Sequence, residues 1–169
     1  MKRRPNKVNE EQSNMLPGYL AQEGTHVHRC LWDSSHEECP KRLTATINHC
    51  TKLGVFSRMK QLEIMPCTED VLTLFHSAEF VRKIALTERM SREELERFCD
   101  RYDSVYLCCE SYQCALNACG AVVEATKAVI TGKCAGCVAL VRAPGHHAMK
   151  NESNGFCIFN NVGVAASYA

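Results

Sequence analysis

The sequence has no long apolar run and almost no net charge. No stretch approaches the roughly 20 apolar residues that a transmembrane helix needs, and no apolar segment follows the charged N-terminus, so neither a membrane span nor a secretory signal is expected. The formal net charge of +1 is too small to indicate a surface that binds nucleic acid or a membrane. We therefore expect a protein of the cytoplasm, the nucleus or both.

Internal repeats and low-complexity segments are also absent, and 46% apolar with 23% charged residues is typical of one globular domain. The 12 cysteines are interpreted as reduced thiols, since no secretory signal is recognised. A disordered tail is predicted for residues 1–24 and the domain for residues 25–169. The tail contains a weak candidate nuclear-import patch, formed by Lys2, Arg3, Arg4 and Lys7.

Hydrophobic periodicity predicts strands that alternate with helices. Strands are predicted at residues 25–31, 59–65, 104–107 and 137–141. The last of these runs is apolar on both faces, which is typical of a strand buried inside a parallel sheet. Helices are predicted after Pro40, Thr68, Ser77, the Ser91–Glu94 capping box and either Asn160 or Asn161, with a long one over residues 115–129. The pattern predicts an α/β fold with a mainly parallel sheet flanked by helices, and functional residues beyond the carboxyl ends of its strands.

A pair of histidines follows the last predicted strand, in the segment Pro144-Gly145-His146-His147. The proline and glycine indicate a sharp turn, and imidazole is well suited to proton transfer near neutral pH. Neighbouring side chains on a regular strand point to opposite faces, so only an irregular loop can direct both rings at one substrate. From the residues alone, the pair fits proton-transfer catalysis, a surface pair or a pair of metal ligands.

The wider pattern resembles the histone deacetylase family. Residues 144–147 (PGHH) and 154–161 (NGFCIFNN) match two dense motifs of that family at its spacing. Weaker matches lie upstream, at residues 32–33, 36–42, 75–81 and 103–106, the last resembling class IIb members. The resemblance covers about residues 25–169 and implies the N-terminal portion of an arginase/deacetylase-type α/β fold, incomplete in this chain.

The resemblance also implies a mechanism. In this family a zinc ion polarises the amide carbonyl of acetyl-lysine and activates a water molecule. By position, His147 is then the general base and later the general acid, while His146 gives electrostatic support. Gly155 and Phe156 would line the narrow tunnel that holds the apolar stem of the lysine, and Ser104 would accept the substrate's backbone N–H at the rim.

Arg42 matches a family arginine beneath the site, associated with a channel through which acetate leaves. Three of these residues also have ordinary structural explanations. In those explanations, Arg42 would be a surface charge on the first turn of a helix and Phe156 would be a core residue. Ser104 would satisfy a backbone group where a strand begins. The family match favours the functional interpretation of each.

The metal ligands of the family lie downstream of its histidine pair, as an Asp-x-His pair and a later Asp, followed by a tyrosine that stabilises the oxyanion. None of these falls within the 169 residues, so we expect Zn²⁺ in the complete domain but neither zinc nor deacetylase activity in this chain alone. The implied partners are an acetylated protein, such as a histone tail or tubulin, and a corepressor complex. The alternatives are a non-catalytic binding module or truncated isoform, and a small cysteine-rich metal or redox protein.

Two further cysteine features remain. Cys134 and Cys137 form a single CxxC, but a structural zinc site needs four ligands and no second pair has suitable spacing. A redox CxxC usually opens a helix, whereas this one precedes a strand, so we interpret both cysteines as packing residues. Cys157 lies beside the pocket in the family resemblance, which makes it a hypothetical site of oxidation.

Overall fold

A short parallel sheet forms the centre of the computed structural model, which describes residues 15–169. Its strands are β1 (Gly18–Ala21), β2 (Lys60–Gln61) and β3 (Cys137–Leu140), in the order β2-β1-β3. Gly18 pairs with Lys60 on one side and with Cys137 on the other, so β1 is the central strand. The predicted α/β architecture with a parallel sheet is confirmed.

The central strand lies within the segment that the sequence analysis assigned to a disordered tail, residues 1–24, and for β1 that assignment is wrong. Leu20 is completely buried, and the Gly18 N–H donates to the carbonyl of Gly136 at 2.8 Å. Four residues are too few to show a periodicity, and the strand forms because segments far along the chain pair with both of its edges. Residues 1–14, with the candidate import patch, lie outside the described residues.

Two other strand predictions are wrong. Residues 25–31 form a 3₁₀-helix over Thr25–Val27 and then irregular chain, because the Thr25 carbonyl accepts from the buried Arg142 and the buried His28 ring bonds the Ser111 hydroxyl. Residues 104–107 are buried from position 105 onward but pair with no strand in the part that the structure describes.

The remaining two strand predictions hold in part. Only Lys60–Gln61 of the predicted segment 59–65 is strand. The segment 137–141 is confirmed as β3, but within the described sheet it pairs on one side only, and Val138 is 49% exposed. The apolar run therefore predicted a strand correctly, but it did not predict the position of that strand, which lies at an edge of the described sheet.

The helix predictions are confirmed, and four of them depend on a local capping signal. Thr68, Ser77 and Asn160 accept backbone N–H groups at helix starts, and Ser91 with Glu94 forms the predicted capping box. The α-helices are α1 (Lys41–Lys52), α2 (Glu69–Leu72), α3 (Ala78–Ala85), α4 (Arg92–Cys99), α5 (Ser111–Ile130) and α6 (Asn161–Tyr168). None in residues 15–169 has the length and apolar character to cross a membrane.

The long helix α5 lies between the sheet and the other helices. Ala121 and Ala125 pack against Leu20 of β1, while Cys119 and Val123 belong to a larger core that includes Phe159. Burial on two sides explains why α5 is rich in alanine and cysteine, whose small side chains allow close approach. The same packing fixes the position of β3, and so of the loop that follows it.

Gly120 marks the closest approach of another segment to α5. A Cβ atom at this position would lie 1.9 Å from the backbone oxygen of Met65 and 2.7 Å from the backbone nitrogen of Cys67. We expect Gly120→Ala to lower the free energy of unfolding by about 1–3 kcal/mol despite the better helix propensity of alanine, because backbone atoms have to shift. Urea denaturation measures the loss. Gly136→Ala, with no atom within 4 Å of its added Cβ, is the control and should change stability by less than about 0.5 kcal/mol.

Candidate active site

The two histidines lie in a turn just beyond the carboxyl end of β3. Both side chains are exposed, and their ring centroids are 4.1 Å apart. The turn is held close to the start of α6, since a Cβ atom on Gly145 would lie 2.5 Å from the backbone nitrogen of Asn161. The irregular loop that the sequence predicted is therefore present, and it brings His146 and His147 together on one side.

A tight hairpin over residues 154–157 faces His147. Asn154 and Cys157 exchange two backbone hydrogen bonds, of 3.1 and 2.9 Å, around Gly155 and Phe156. Both central residues have positive φ, 51° for Gly155 and 72° for Phe156, as type I′ turns require. A Cβ atom on Gly155 would lie 2.9 Å from Cδ2 of His147, so glycine is needed here for space as well as for conformation.

The loop that contains Ser104 is bonded directly to this hairpin. The Gly155 N–H donates to the carbonyl of Asp103 at 2.9 Å, and the Phe156 N–H donates to that of Ser104 at 3.2 Å. The Ser104 hydroxyl donates to Oδ1 of Asp103 at 2.8 Å, which leaves its oxygen lone pairs available as acceptors. Four predicted site residues, Ser104, Gly155, Phe156 and His147, are thus joined in one small region.

Phe156 also meets the segment 36–42, one of the weaker matches to the family. Its ring is 5.6 Å from the ring of His36, and the guanidinium carbon of Arg42 lies 5.5 Å from its centroid. Arg42 borders an open cavity of about 490 Å³ between α1 and the end of β3, whose wall also includes Leu43, Thr46, Leu140 and Pro144. The channel role assigned to Arg42 stays a prediction.

A buried charged cluster at the start of the histidine turn was missed by sequence reasoning. Arg142 is 2% exposed and Glu38 is 1% exposed, and the guanidinium donates to both carboxylate oxygens, at 2.7 and 2.6 Å. Arg142 also donates to the carbonyl of Thr25 at 2.6 Å and to the hydroxyl of Tyr106, which itself donates to Glu38 at 2.7 Å. One guanidinium therefore ties together the segments around residues 25, 38 and 106 at the base of the histidine turn.

The charges of this cluster reinforce one another. Burial alone would raise the pKa of Glu38, but hydrogen bonds from Arg142 and Tyr106 outweigh it and lower that pKa, so the carboxylate stays ionised. Burial and the neighbouring Glu38 raise the pKa of Tyr106, which keeps its phenol protonated as a donor. Burial, followed by the charge of Arg142, lowers the pKa of His28 to about 3, so His28 is a neutral ring that stacks on Tyr106.

A sequence signal for this cluster did exist. Arg142 directly follows the apolar run 137–141, and an arginine at that position has to find a buried acidic partner or leave the core. Glu38 lies in the segment 36–42, which matches the family but was given no role for its acidic residue. The spacing of more than 100 residues between the two hides the pairing from any local pattern.

The residues described do not by themselves fit a zinc ion. Within residues 15–169, no group of three or more His, Cys, Asp or Glu side chains is arranged to hold a metal. Cys157, which lies next to the histidine turn and accepts a 3.4 Å hydrogen bond from the His147 N–H, is buried, and burial raises its pKa. The site as described is thus a pair of imidazoles beside an aromatic wall, without a metal centre of its own.

The described part of the chain is an α/β fold with paired histidines beyond the carboxyl end of β3, and this arrangement can be compared with known proteins. The histone deacetylase domain model matches residues 36–169. The rat polyamine deacetylase HDAC10 is 40% identical over 143 residues, which cover 83% of this chain and 24% of that protein. The histone deacetylase HDA1 of Saccharomyces cerevisiae is 38% identical over 143 residues, covering 78% of this chain and 20% of that protein.

A solved structure is also similar to this chain. The HDA15 HD domain superposes with a TM-score of 0.79 and 27% sequence identity, covering 90% of this chain and 42% of that one. The chain therefore belongs to the histone deacetylase family, as a class II member, and has part of the arginase/deacetylase fold. It spans about a quarter or less of the length of the curated relatives it matches.

Proposed function

We propose that this chain supplies the histidine pair and one tunnel wall of a zinc-dependent deacetylase that hydrolyses N-acetyl-lysine in proteins. The observation that carries the proposal is the packing of His147 against Gly155, with Phe156 and the Ser104 loop bonded to the same hairpin. This arrangement lies at the carboxyl end of β3, the usual place of a site in a parallel α/β sheet.

Each of these residues has a task that its geometry permits. The exposed ring of His147 accepts a proton from the attacking water and returns it to the leaving amine. His146, with its ring centroid 4.1 Å away, offers a second imidazole to orient that water and stabilise developing charge. Phe156 covers the apolar stem of the substrate, while the Ser104 oxygen accepts its backbone N–H.

The zinc ion of the family supplies the polarisation of the acetyl carbonyl. Because residues 15–169 contain no group able to hold it, we propose that its ligands belong to another part of the deacetylase domain. The 169-residue chain is accordingly proposed to have no deacetylase activity alone. Localisation in the cytoplasm or nucleus, and membership of a corepressor complex, are proposed with the family assignment.

The proposed substrate is tested against a close alternative. The relatives compared include a polyamine deacetylase as well as a histone deacetylase. A chimera in which this chain replaces the matching 143 residues of rat HDAC10 is assayed with an acetyl-lysine peptide, derived from histone or tubulin, and with an acetylated polyamine. A higher kcat/KM for the peptide is expected, and clear preference for the polyamine would move the proposal to that substrate.

The role of His147 is tested in the same chimera. We expect His147→Ala to lower kcat by about 10²–10⁴-fold, because general acid–base catalysis typically contributes that much. His49→Ala, at an exposed position of α1, is the matched control and should retain the parent kcat. Turnover by the His147→Ala chimera within a few-fold of its parent would exclude His147 as the base.

A non-catalytic module that binds acyl-lysine is the second candidate, favoured by the missing metal group in the described residues. It predicts that the 169-residue chain binds an acetyl-lysine peptide, measured by calorimetry, and that Phe156→Ala abolishes binding. Absence of binding by the unmodified chain would leave the catalytic proposal alone.

A further inference from the structure

Two cysteine sulfurs converge on the start of β3. A Cβ atom built on Gly18 would lie 3.1 Å from Sγ of Cys134 and 3.1 Å from Sγ of Cys137. The two sulfurs are therefore no further apart than twice that distance, and they share the space that the missing side chain of Gly18 leaves open. Gly18 pairs with Cys137 in the sheet and donates to the carbonyl of Gly136, so the backbone between the sulfurs is fixed.

The two thiols differ in access. Cys134 is 1% exposed, whereas Cys137 is only partly buried and borders an open cavity beside β3, which within residues 15–169 pairs with a strand on one side only. Of the two residues, Cys137 is therefore the one that a small molecule can approach from this cavity. The outer thiol can take up an oxidant, and the inner thiol is placed to react only with its neighbour.

We infer that Cys134 and Cys137 form a reversible dithiol–disulfide site that reacts with low-molecular-weight disulfides such as oxidised glutathione. The thiolate of Cys137 attacks one glutathione sulfur, which forms a mixed disulfide and releases one glutathione thiolate. The thiolate of Cys134 then attacks the Cys137 sulfur, which closes the protein disulfide and releases the second glutathione. Two cysteine thiols are oxidised, one glutathione disulfide is reduced, and the two thiol protons pass to the glutathione thiolates.

The surroundings of Cys134 and Cys137 favour the disulfide over the two thiols. Burial and the adjacent Cys134 raise the pKa of Cys137 to about 11, so the reduced pair gains nothing from an ionised thiolate. A dithiol whose reduced form is not stabilised has a more stable disulfide, at the cost of slower attack. The sequence analysis argued against redox chemistry because a strand, not a helix, follows the CxxC. In the folded chain, however, the two sulfurs are brought together beside Gly18, as a helix start usually does for a redox CxxC.

Cys67 and Cys119 provide an internal control. These two thiols also interact, as the effect of each on the pKa of the other shows, but both are buried. Contact without access should leave them reduced in the folded protein. Comparing the two pairs shows whether an accessible thiol is needed for oxidation, beyond the proximity of two cysteines.

The test is equilibration of the folded 169-residue chain with buffers of reduced and oxidised glutathione, followed by acid quench, alkylation and tryptic mass spectrometry. Trypsin cleaves after Lys133 and Arg142, so one peptide, residues 134–142, contains both cysteines. The same peptide, made synthetically, is the matched control without a fold. We expect the equilibrium constant for closure to be at least about tenfold larger in the protein, or ~30 mV more reducing, while Cys67 and Cys119 stay alkylated.

Single variants give a second measurement. Cys134→Ser should leave glutathione attached to Cys137, and Cys137→Ser should leave Cys134 free of glutathione. The inference is overturned if the protein and the free peptide close with equal constants, or if glutathione persists on Cys137 while Cys134 is present. Should a variant fail to fold, the comparison of unmodified protein with free peptide still decides. None of these outcomes depends on deacetylase activity.

Discussion

Arg142→Met is expected to lower the free energy of unfolding by about 3–5 kcal/mol, because it leaves the carboxylate of Glu38 buried without its cation. The loss should appear as a reduced midpoint in urea, at pH 7, with little change in the slope of the transition. The double variant Glu38→Gln/Arg142→Met removes both charges and keeps an acceptor for Tyr106. It should be more stable than Arg142→Met alone, although the double variant lacks more of the native contacts.

Arg42 offers a matched control, since it reaches the same acid from outside. Its side chain is 49% exposed and lies 3.5 Å from Oε1 of Glu38. Arg42→Met should therefore cost no more than about 1 kcal/mol, as exposed ion pairs do. Equal decreases in the free energy of unfolding for the Arg42 and Arg142 variants would contradict the explanation that burial makes the Arg142–Glu38 pair important for stability.

Stability is expected to fall as the pH is lowered from about 6.5 towards 3. His28 is 1% exposed, and burial together with Arg142 lowers its pKa from 6.5 to about 3, so the folded protein keeps a neutral ring while the unfolded chain takes up a proton. The unfolded state then binds more protons than the folded state within this window, and each pH unit costs at most ~1.4 kcal/mol. Urea midpoints measured at intervals between pH 7 and pH 4 give the slope.

His28→Gln isolates this contribution. Glutamine keeps a polar group near the Ser111 hydroxyl, which lies 2.7 Å from Nδ1 of His28, but cannot be protonated. The variant should lose stability at pH 7 and show a shallower pH dependence between 6.5 and 4.5. His76, whose pKa burial also lowers, contributes with the same sign, and Glu38 adds its own loss only below about 4.5. Parallel curves for the variant and the unmodified protein would rule out His28 as a source.

Prediction from sequence succeeded where the physical cause is local. The N-cap residues Thr68, Ser77 and Ser91 each bond a backbone N–H three residues ahead, so a short window contains both partners. It failed for β1, whose four residues become a strand only because β2 and β3 pair with both of its edges. The segment 25–31 failed for a related reason, since buried partners from residues 111 and 142 set its conformation.

The candidate site divides in the same way. Sequence alone indicated the turn that carries His146 and His147 and, through the motifs at residues 144–147 and 154–161, the family to which the chain belongs, because each is encoded by residues that are close together in the chain. The hairpin around Gly155 and Phe156 was seen only in the structure. Only the tertiary structure decided that Glu38 and Arg142 form one buried pair, and that Cys134 and Cys137 converge on Gly18. Glu38 and Arg142 are distant in sequence, and the two cysteines meet beside Gly18, which is distant from both. The interaction free energy of such groups depends on burial, which exists only after the chain has folded.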